Sequence, residues 1–311
     1  MERSPRAGIV FVVMAALAWA GTSPGLAYLM DNYPIRALTL AFWRDALVAT
    51  ACLTGIGLVA LVRRQTLPAL SRADLHGFAL TGVISVGIYH ALFVLSIALN
   101  GAALGIVLIY LYPAFVTLGA RVFFREAITL RQLIALLFAL VGCALLVRIY
   151  DPEVLRVSWL GVIVGIGSAL THAGYVLFNQ RALDRHSPWL SLALTMAFGS
   201  LTLLLLVSVV DGPATLFQIG SGFMPWLLLL GLSLGPTLGG YALFTISLRH
   251  LPGRIASLIV VIEAPIATLA AVLLLGERIV PIQILGMVLI LFAAVLPGLR
   301  PRASSPATSP A

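Results

Sequence analysis

Long apolar stretches follow one another along almost the whole chain, broken only by short charged or turn-forming segments. A helix needs roughly 20 mostly apolar residues to cross the hydrocarbon core of a bilayer. Ten stretches of about that size can be delimited, near 8–29, 36–62, 75–98, 101–124, 129–148, 158–180, 187–210, 223–248, 253–275 and 280–298. They are too long and too continuously apolar for the alternating strands of an outer-membrane barrel, so helices are the expected spanning structure. With 61% hydrophobic and only 10% charged residues in 311, a soluble globular chain is excluded. The expected fold class is an all-α polytopic membrane protein with ten transmembrane helices.

The first stretch follows Arg3 and Arg6 and contains Ala18-Trp19-Ala20, which resembles a signal-peptidase site. It continues to Met30, too long for a signal core, so a retained helix is expected. All nineteen basic residues are arginine, set against eleven acids for a net charge of +8. In a chain of this kind the excess reports orientation rather than nucleic-acid binding. With a cytoplasmic N-terminus, fourteen arginines fall on the inside and only four on the outside, Arg36, Arg148, Arg156 and Arg278, while Arg44 lies within the second stretch. The positive-inside rule then places both termini in the cytoplasm. The expected location is the cytoplasmic (inner) membrane of a bacterium. Cys52 and Cys143 sit in apolar runs and read as small buried hydrophobes rather than a disulfide or metal site. The Pro-, Ser- and Ala-rich tail over 300–311 cannot bury a core, and is expected to be disordered.

The two halves superpose at an offset of about 152 residues. Gly8 falls on Gly161, Ala20-Gly21 on Ala173-Gly174, Ala91-Leu92-Phe93 on Ala242-Leu243-Phe244, Leu99-x-Gly101 on Leu251-x-Gly253, Pro113 on Pro265 and, after a one-residue slip, Glu126 on Glu277 and Gln132 on Gln283. Their common order indicates a duplication. A first repeat over 1–149 and a second over 158–299, joined by 150–157, each hold five stretches. Because five is odd, the second copy must enter the membrane from the opposite side. Such inverted repeats are the architecture of many secondary transporters, with the substrate held near the midplane.

Pro113-Ala-Phe-Val-Thr, Arg125-Glu126 and Gln132, echoed by Glu263-Ala264-Pro265, Gly276-Glu277-Arg278 and Gln283, resemble the signature of the EamA family in the drug/metabolite transporter superfamily. Ala18-Trp19-Ala20-Gly21 and Arg44 add to the resemblance, which covers nearly the whole chain. It implies ten helices in inverted five-helix halves, alternating access, and a central cavity lined mainly by spans 1, 3, 4, 6, 8 and 9. Length and an aromatic-rich middle are similar to amino-acid exporters, including the YddG-type aromatic amino-acid exporters. Drug, nucleobase and sugar-linked substrates occur in related groups.

Several residues are candidates for carrying transport. Glu263 lies midway along the ninth stretch, where a carboxylate is costly unless it meets a cavity, a partner or a proton. It can bind a substrate ammonium, carry a coupling proton, or satisfy backbone groups freed by Pro265. Arg44 can hold a substrate carboxylate or lock its helix to another, and neighbouring Asp45 points about 100° away, which argues against a simple mutual pair. His90 and His172 are either proton-linked or hydrogen-bonded packing residues. The repeat places His172 opposite Trp19, as two walls of a central site. Trp19, Tyr89, Tyr110, Tyr112, Tyr175, Phe178 and Tyr241 fall in the expected cavity helices and can sandwich a flat substrate. Trp159, Trp189, Trp226 and Tyr150, near span ends, read as interfacial anchors.

Pro24, Pro113, Pro236 and Pro265 lie inside spans and are candidate hinges, since each removes a backbone donor. Gly101-x₃-Gly105, Gly161-x₃-Gly165 and Gly235-x₃-Gly239 are expected to allow close helix contact. Glu126 and Glu277, beside Arg125 and Arg278, read as caps that neutralise connectors. His76, His186 and His250 fall in connectors and need no special role. An intramembrane enzyme is disfavoured, because there is no lysine for a Ser-Lys dyad, no His-Glu-x-x-His and no Gly-x-Ser-Gly. No ring of repeated charges suggests a channel. The expected partners are a small-molecule substrate and the lipid bilayer, with no cofactor and no nucleic acid.

Overall fold

A computed structural model of the chain describes residues 4–66, 69–153, 155, 157–275 and 279–296. Arg3, Arg156, Gly276, Glu277, Arg278 and the tail over 300–311 lie outside the described residues. The first stretch folds as α1 (Pro5–Ala20) and α2 (Thr22–Asn32), parted at Gly21. Helix α3 (Ala37–Val62) follows, and α4 (Arg72–Gly82) runs into α5 (Tyr89–Ile109) through a π-helical segment, Val83–Ile88. Helices α6 (Tyr112–Phe124) and α7 (Leu130–Leu146) complete the first half.

The second half begins with α8 (Trp159–Ala182) and α9 (Pro188–Val210). After a short 3-10 segment, Pro213–Phe217, α10 (Met224–Leu232) passes through a second π-helical segment, Ser233–Thr237, into α11 (Leu238–Ser247). Helix α12 (Gly253–Ile259) turns through a 3-10 segment, Val260–Ile262, into α13 (Glu263–Leu275), and α14 (Pro281–Val295) follows. No strand occurs among the described residues. Among the described residues eight helical segments are long and apolar enough to cross a membrane, while Leu130–Leu146 and Pro281–Val295 are apolar but shorter.

Helix starts follow local capping chemistry. Ser4, Ser158 and Ser187 accept from backbone N–H groups in the first turn, and Ser71–Asp74 and Thr129–Gln132 form capping boxes. The four intramembrane prolines all sit at helix breaks. Pro24, Pro113 and Pro265 stand in the first turns of α2, α6 and α13, where a missing N–H is unpaired anyway, and Pro236 lies within the second π segment. Val83–Ile88 is the equivalent irregularity in the first half, and it arises without a proline.

The halves interleave. Helix α5 packs on α8 and α1 on α11, and the repeat offset turns one contact into the other. Further pairs are α3 on α9, α6 on α12 and α7 on α14. In the last pair the backbones themselves meet, since a Cβ added to Gly142 would lie 2.7 Å from the Gly286 carbonyl oxygen, and one on Gly286 2.6 Å from that of Gly142. Gly142→Ala is therefore expected to lower stability by about 1–3 kcal/mol through overpacking, read as a lower melting temperature in detergent.

The expected small-residue motifs behave differently from one another. Gly161 and Gly165 do lie against Asn100, Ser96 and Leu108. Gly101 instead adopts φ +77° and breaks the helix with nothing within 4 Å of its missing side chain, so its spacing to Gly105 does not mark an interface. Gly235 likewise has no neighbour within 4 Å. Large apolar side chains such as Leu61, Val62 and Val209 point outward, as burial in lipid requires, and Trp159, Trp189 and Tyr150 are exposed near helix ends. Trp226 is not such an anchor, because its ring packs 5.1 Å from Trp43 over the small apolar cluster around Leu29 and Ile219. Cys52 and Cys143 are buried free thiols.

Candidate functional site

The helix breaks converge on a central cavity of about 250 Å³. Trp19, Arg44, Tyr89, His90, Tyr110, Tyr112, His172, Tyr241 and Glu263 all line it, together with Thr22, Leu26, Phe93, Leu146, Thr237 and Thr268. These residues come from α1, α2, α3, α5, α6, α7, α8, α11 and α13 and the segments that break them. Both halves therefore build one site.

Its most ordered element is a buried triad. Arg44 Nη2 lies 2.6 Å from His90 Nε2, His90 Nδ1 lies 2.9 Å from Asp45 Oδ2, and Arg44 Nε lies 3.4 Å from Asp45 Oδ1. A guanidinium only donates, so His90 Nε2 accepts and the ring proton resides on Nδ1, donated to Asp45. The expectation that Arg44 and Asp45 would not pair is corrected here. Neighbours on a helix point apart, but the long arginine side chain folds back and a histidine from α5 bridges the two.

The aromatic wall is built from both halves. Trp19 meets Tyr241 edge-on at 5.0 Å, and His172 lies 4.5 Å from Tyr89 and 4.7 Å from Tyr112. Close approach at Gly240 makes room for the indole, since a Cβ there would fall 2.3 Å from Trp19. The offset maps Trp19 onto His172 and Gly240 onto Tyr89, so the two contacts are one position filled differently in each copy. The Tyr112 hydroxyl donates to the Ser257 carbonyl at 3.3 Å.

Tyr175 does not reach the cavity, in contrast to expectation. Its ring is fully buried behind His172 at 6.2 Å, and its hydroxyl is 2.9 Å from Thr245 Oγ1. Phe178 is also elsewhere, edge-on to Phe78 against α4. Tyr175→Phe is expected to cost about 1 kcal/mol of stability while leaving ligand affinity unchanged, whereas Trp19→Ala changes affinity. Melting curves and equilibrium binding on the same preparations separate the two effects.

Two polar groups on the cavity wall have no protein partner. Among the described residues the Glu263 carboxylate makes no hydrogen bond or ion pair, although Pro265 sits two residues on. His172 Nδ1 is buried without a hydrogen-bond partner.

A different network closes the arginine-rich end. Arg254 Nε lies 2.6 Å from Glu126 Oε2, and Arg254 Nη1 donates to the Ala127 carbonyl at 2.5 Å and to Gln132 Oε1 at 3.1 Å. Gln180 donates to Glu126 Oε1 at 3.1 Å and accepts from the Gly253 N–H at 2.7 Å. Glu126 thus pairs across the halves rather than with adjacent Arg125, which caps α6 in a left-handed conformation. His186 also has a role there, 3.1 Å from Asp74, with its carbonyl accepting from Arg249. Beside this network is a second cavity of about 420 Å³, lined by Glu126, Gln180, Arg181, Asp184, Arg249 and His250 among others. Nothing in the local sequence of Arg254 distinguishes it from the other connector arginines.

Comparison with known proteins follows the same lines. The chain is 30% identical over 146 residues to the threonine/homoserine exporter RhtA of Escherichia coli K12, covering 46% of each chain. It is 28% identical over 216 residues to an uncharacterised transporter of Synechocystis, covering 67% of this chain and 62% of that one. A further uncharacterised transporter, of Archaeoglobus fulgidus, is 27% identical over 71% of this chain and 74% of its own. The chain thus spans less than two thirds of the length of the first two relatives. A solved crystal structure shares the fold with a TM-score of 0.78 over 94% of this chain and 97% of that one, at 14% identity. The sequence profile of the EamA-like transporter family matches twice, over residues 6–148 and 159–298, and the chain is a multi-pass membrane protein belonging to that family.

Proposed function

We propose that the chain is a ten-span secondary transporter that exports amino acids with aromatic or bulky side chains by alternating access. The observation that carries this reading is the single cavity into which both halves bring an arginine, a carboxylate and a set of aromatic rings. The Arg44 guanidinium borders the cavity with Nη1 still available for a substrate carboxylate, Glu263 suits an ammonium, and Trp19, Tyr89, Tyr110 and Tyr241 suit a flat side chain. The similarity to RhtA, a threonine/homoserine exporter, lends support to amino acids as a class.

In this reading residues 1–149 and 158–299 are inverted five-helix repeats joined by 150–157, followed by the tail over 300–311. Both termini are cytoplasmic in a bacterial inner membrane, as the arginine distribution favours. The breaks at Pro24, Pro113, Pro236 and Pro265 serve as hinges. The cavity residues on α2, α5 and α13 then lie toward the outer side, and the Glu126–Arg254–Gln180 network closes the cytoplasmic end.

Counterflow in proteoliposomes tests the proposal. Vesicles are preloaded with unlabelled aromatic amino acids, other amino acids or nucleobases, and entry of the matching labelled compound is followed. Saturable counterflow with the aromatic group is the expected result. Absence of counterflow for every amino acid, in protein shown to be folded, removes the amino-acid reading.

A further inference from the structure

The charges around the central cavity do not balance. Asp45 is completely buried, and its two oxygens are taken by Arg44 Nε and by His90 Nδ1. His90 is neutral in this arrangement, because its Nε2 must accept from Arg44. Arg44, Asp45 and His90 together therefore carry no net charge. Glu263 is left as the one carboxyl group on the wall without a counter-charge among the described residues, so its ionised form is favoured only when a ligand brings a cation beside it. Around it stand aromatic rings, whose faces are electron-rich and attract cations. His172 adds a ring nitrogen, Nδ1, that has no hydrogen-bond partner, and among the described residues no carboxylate lies against the ring to favour its charged form.

With Glu263 ionised, the arithmetic ranks ligands by charge. A monovalent ammonium brings the site to zero, a zwitterion leaves it at minus one, and an anion at minus two. Buried charge without compensation is strongly unfavourable, so the ranking is also an order of affinity. The space of about 250 Å³ fits a small ligand with one ring.

Resting on the amino-acid reading above and narrowing it, we infer that the cavity selects its ligand by a protonated amine on a flat apolar body. A carboxylate on that ligand is dispensable. Primary aromatic amines, and the amides of aromatic amino acids, are then substrates of the same cavity.

The test uses the full chain in detergent and four probes of matched ring: 2-phenylethylamine, phenylalanine amide, phenylalanine and N-acetylphenylalanine. Equilibrium binding followed by proteoliposome counterflow is measured for each. The amine and the amide are expected to bind at least tenfold more tightly than the N-acetyl compound, with phenylalanine between them. Glu263→Gln is expected to abolish the preference for the amine while eluting as a folded species in size exclusion. Glu263→Asp should retain the preference, which shows that charge and not mere integrity is being read. Binding of the N-acetyl compound as tightly as the amine, or an unchanged ranking in a folded Glu263→Gln protein, overturns the inference. If amino acids bind and neither amine nor amide does, the inference falls and the amino-acid reading stands. If the amine and amide bind and no amino acid does, the inference stands and that reading falls. If none of the four binds, both fall.

Discussion

Asp45→Ala is expected to destabilise the protein by about 3–5 kcal/mol, the cost of leaving a buried charge without its partner. Both carboxylate oxygens are in use, Oδ1 at 3.4 Å from Arg44 Nε and Oδ2 at 2.9 Å from His90 Nδ1. Removing them strands a guanidinium and a ring N–H without the acceptor that satisfies both. Asp45→Asn should fall between, because an amide can present one oxygen but turns a donor toward another donor. Replacing all three members together, with Arg44→Met, Asp45→Leu and His90→Phe, should recover most of the loss, since a buried ionic network replaced as a unit by apolar side chains is near neutral. Thermal unfolding in detergent is the measurement. An Asp45→Ala protein that melts with the wild type would mean that the triad contributes nothing to holding α3 against α5.

Arg254→Ala is expected to open the arginine-rich end. The side chain makes a charged contact with Glu126 and two further hydrogen bonds, to the Ala127 carbonyl and to Gln132. Hydrogen bonds to charged groups contribute about 1.5–3 kcal/mol each, reduced here because both partners are partly exposed, so a net bias of about 2–3 kcal/mol is reasonable. That corresponds to a shift of roughly 30- to 150-fold between closed and open populations. The repeat gives this bias a direction. The residue equivalent to Arg254 in the first copy is Ala102, so the opposite end cannot form the same pair. Leu248, beside the second cavity, offers a reporter position. A cysteine placed there should be alkylated by a membrane-impermeant maleimide at least tenfold faster in the Arg254→Ala background, and similarly with Glu126→Gln. Equal rates would show that the network is not what keeps this end shut.

Much of the candidate site could be read from residue types, but not its geometry. Glu263, Trp19, His172 and Arg44 stand out because polar or bulky groups inside apolar runs need a reason to be there, and all four line the cavity. Tyr175 carries the same signal and lies behind the wall, because helix rotation aims its hydroxyl at Thr245. Glu126 stands beside Arg125 in the chain and pairs with Arg254 instead, since the left-handed cap at Arg125 ends α6 and turns the chain there.

Composition alone determined that the chain belongs in a bilayer. Run length and turn residues determined roughly where its helices start, and internal similarity determined that the chain is a duplication. These are local or additive properties, because lipid burial is imposed residue by residue and a capping box closes within one turn. The tertiary structure decided which side chains share a cavity, that Asp45 and His90 neutralise Arg44, and which glycines bring helices together. It also decided the proline-free π segment at Val83–Ile88, which shifts the register that carries Tyr89 and His90 to the cavity, and the break at Gly101, which redirects the chain that carries Ile106, Ile109 and Tyr110 there. Such features depend on the rotation and register of helices far apart in sequence, and an apolar run with no polar face to orient it leaves that rotation open until the helices pack.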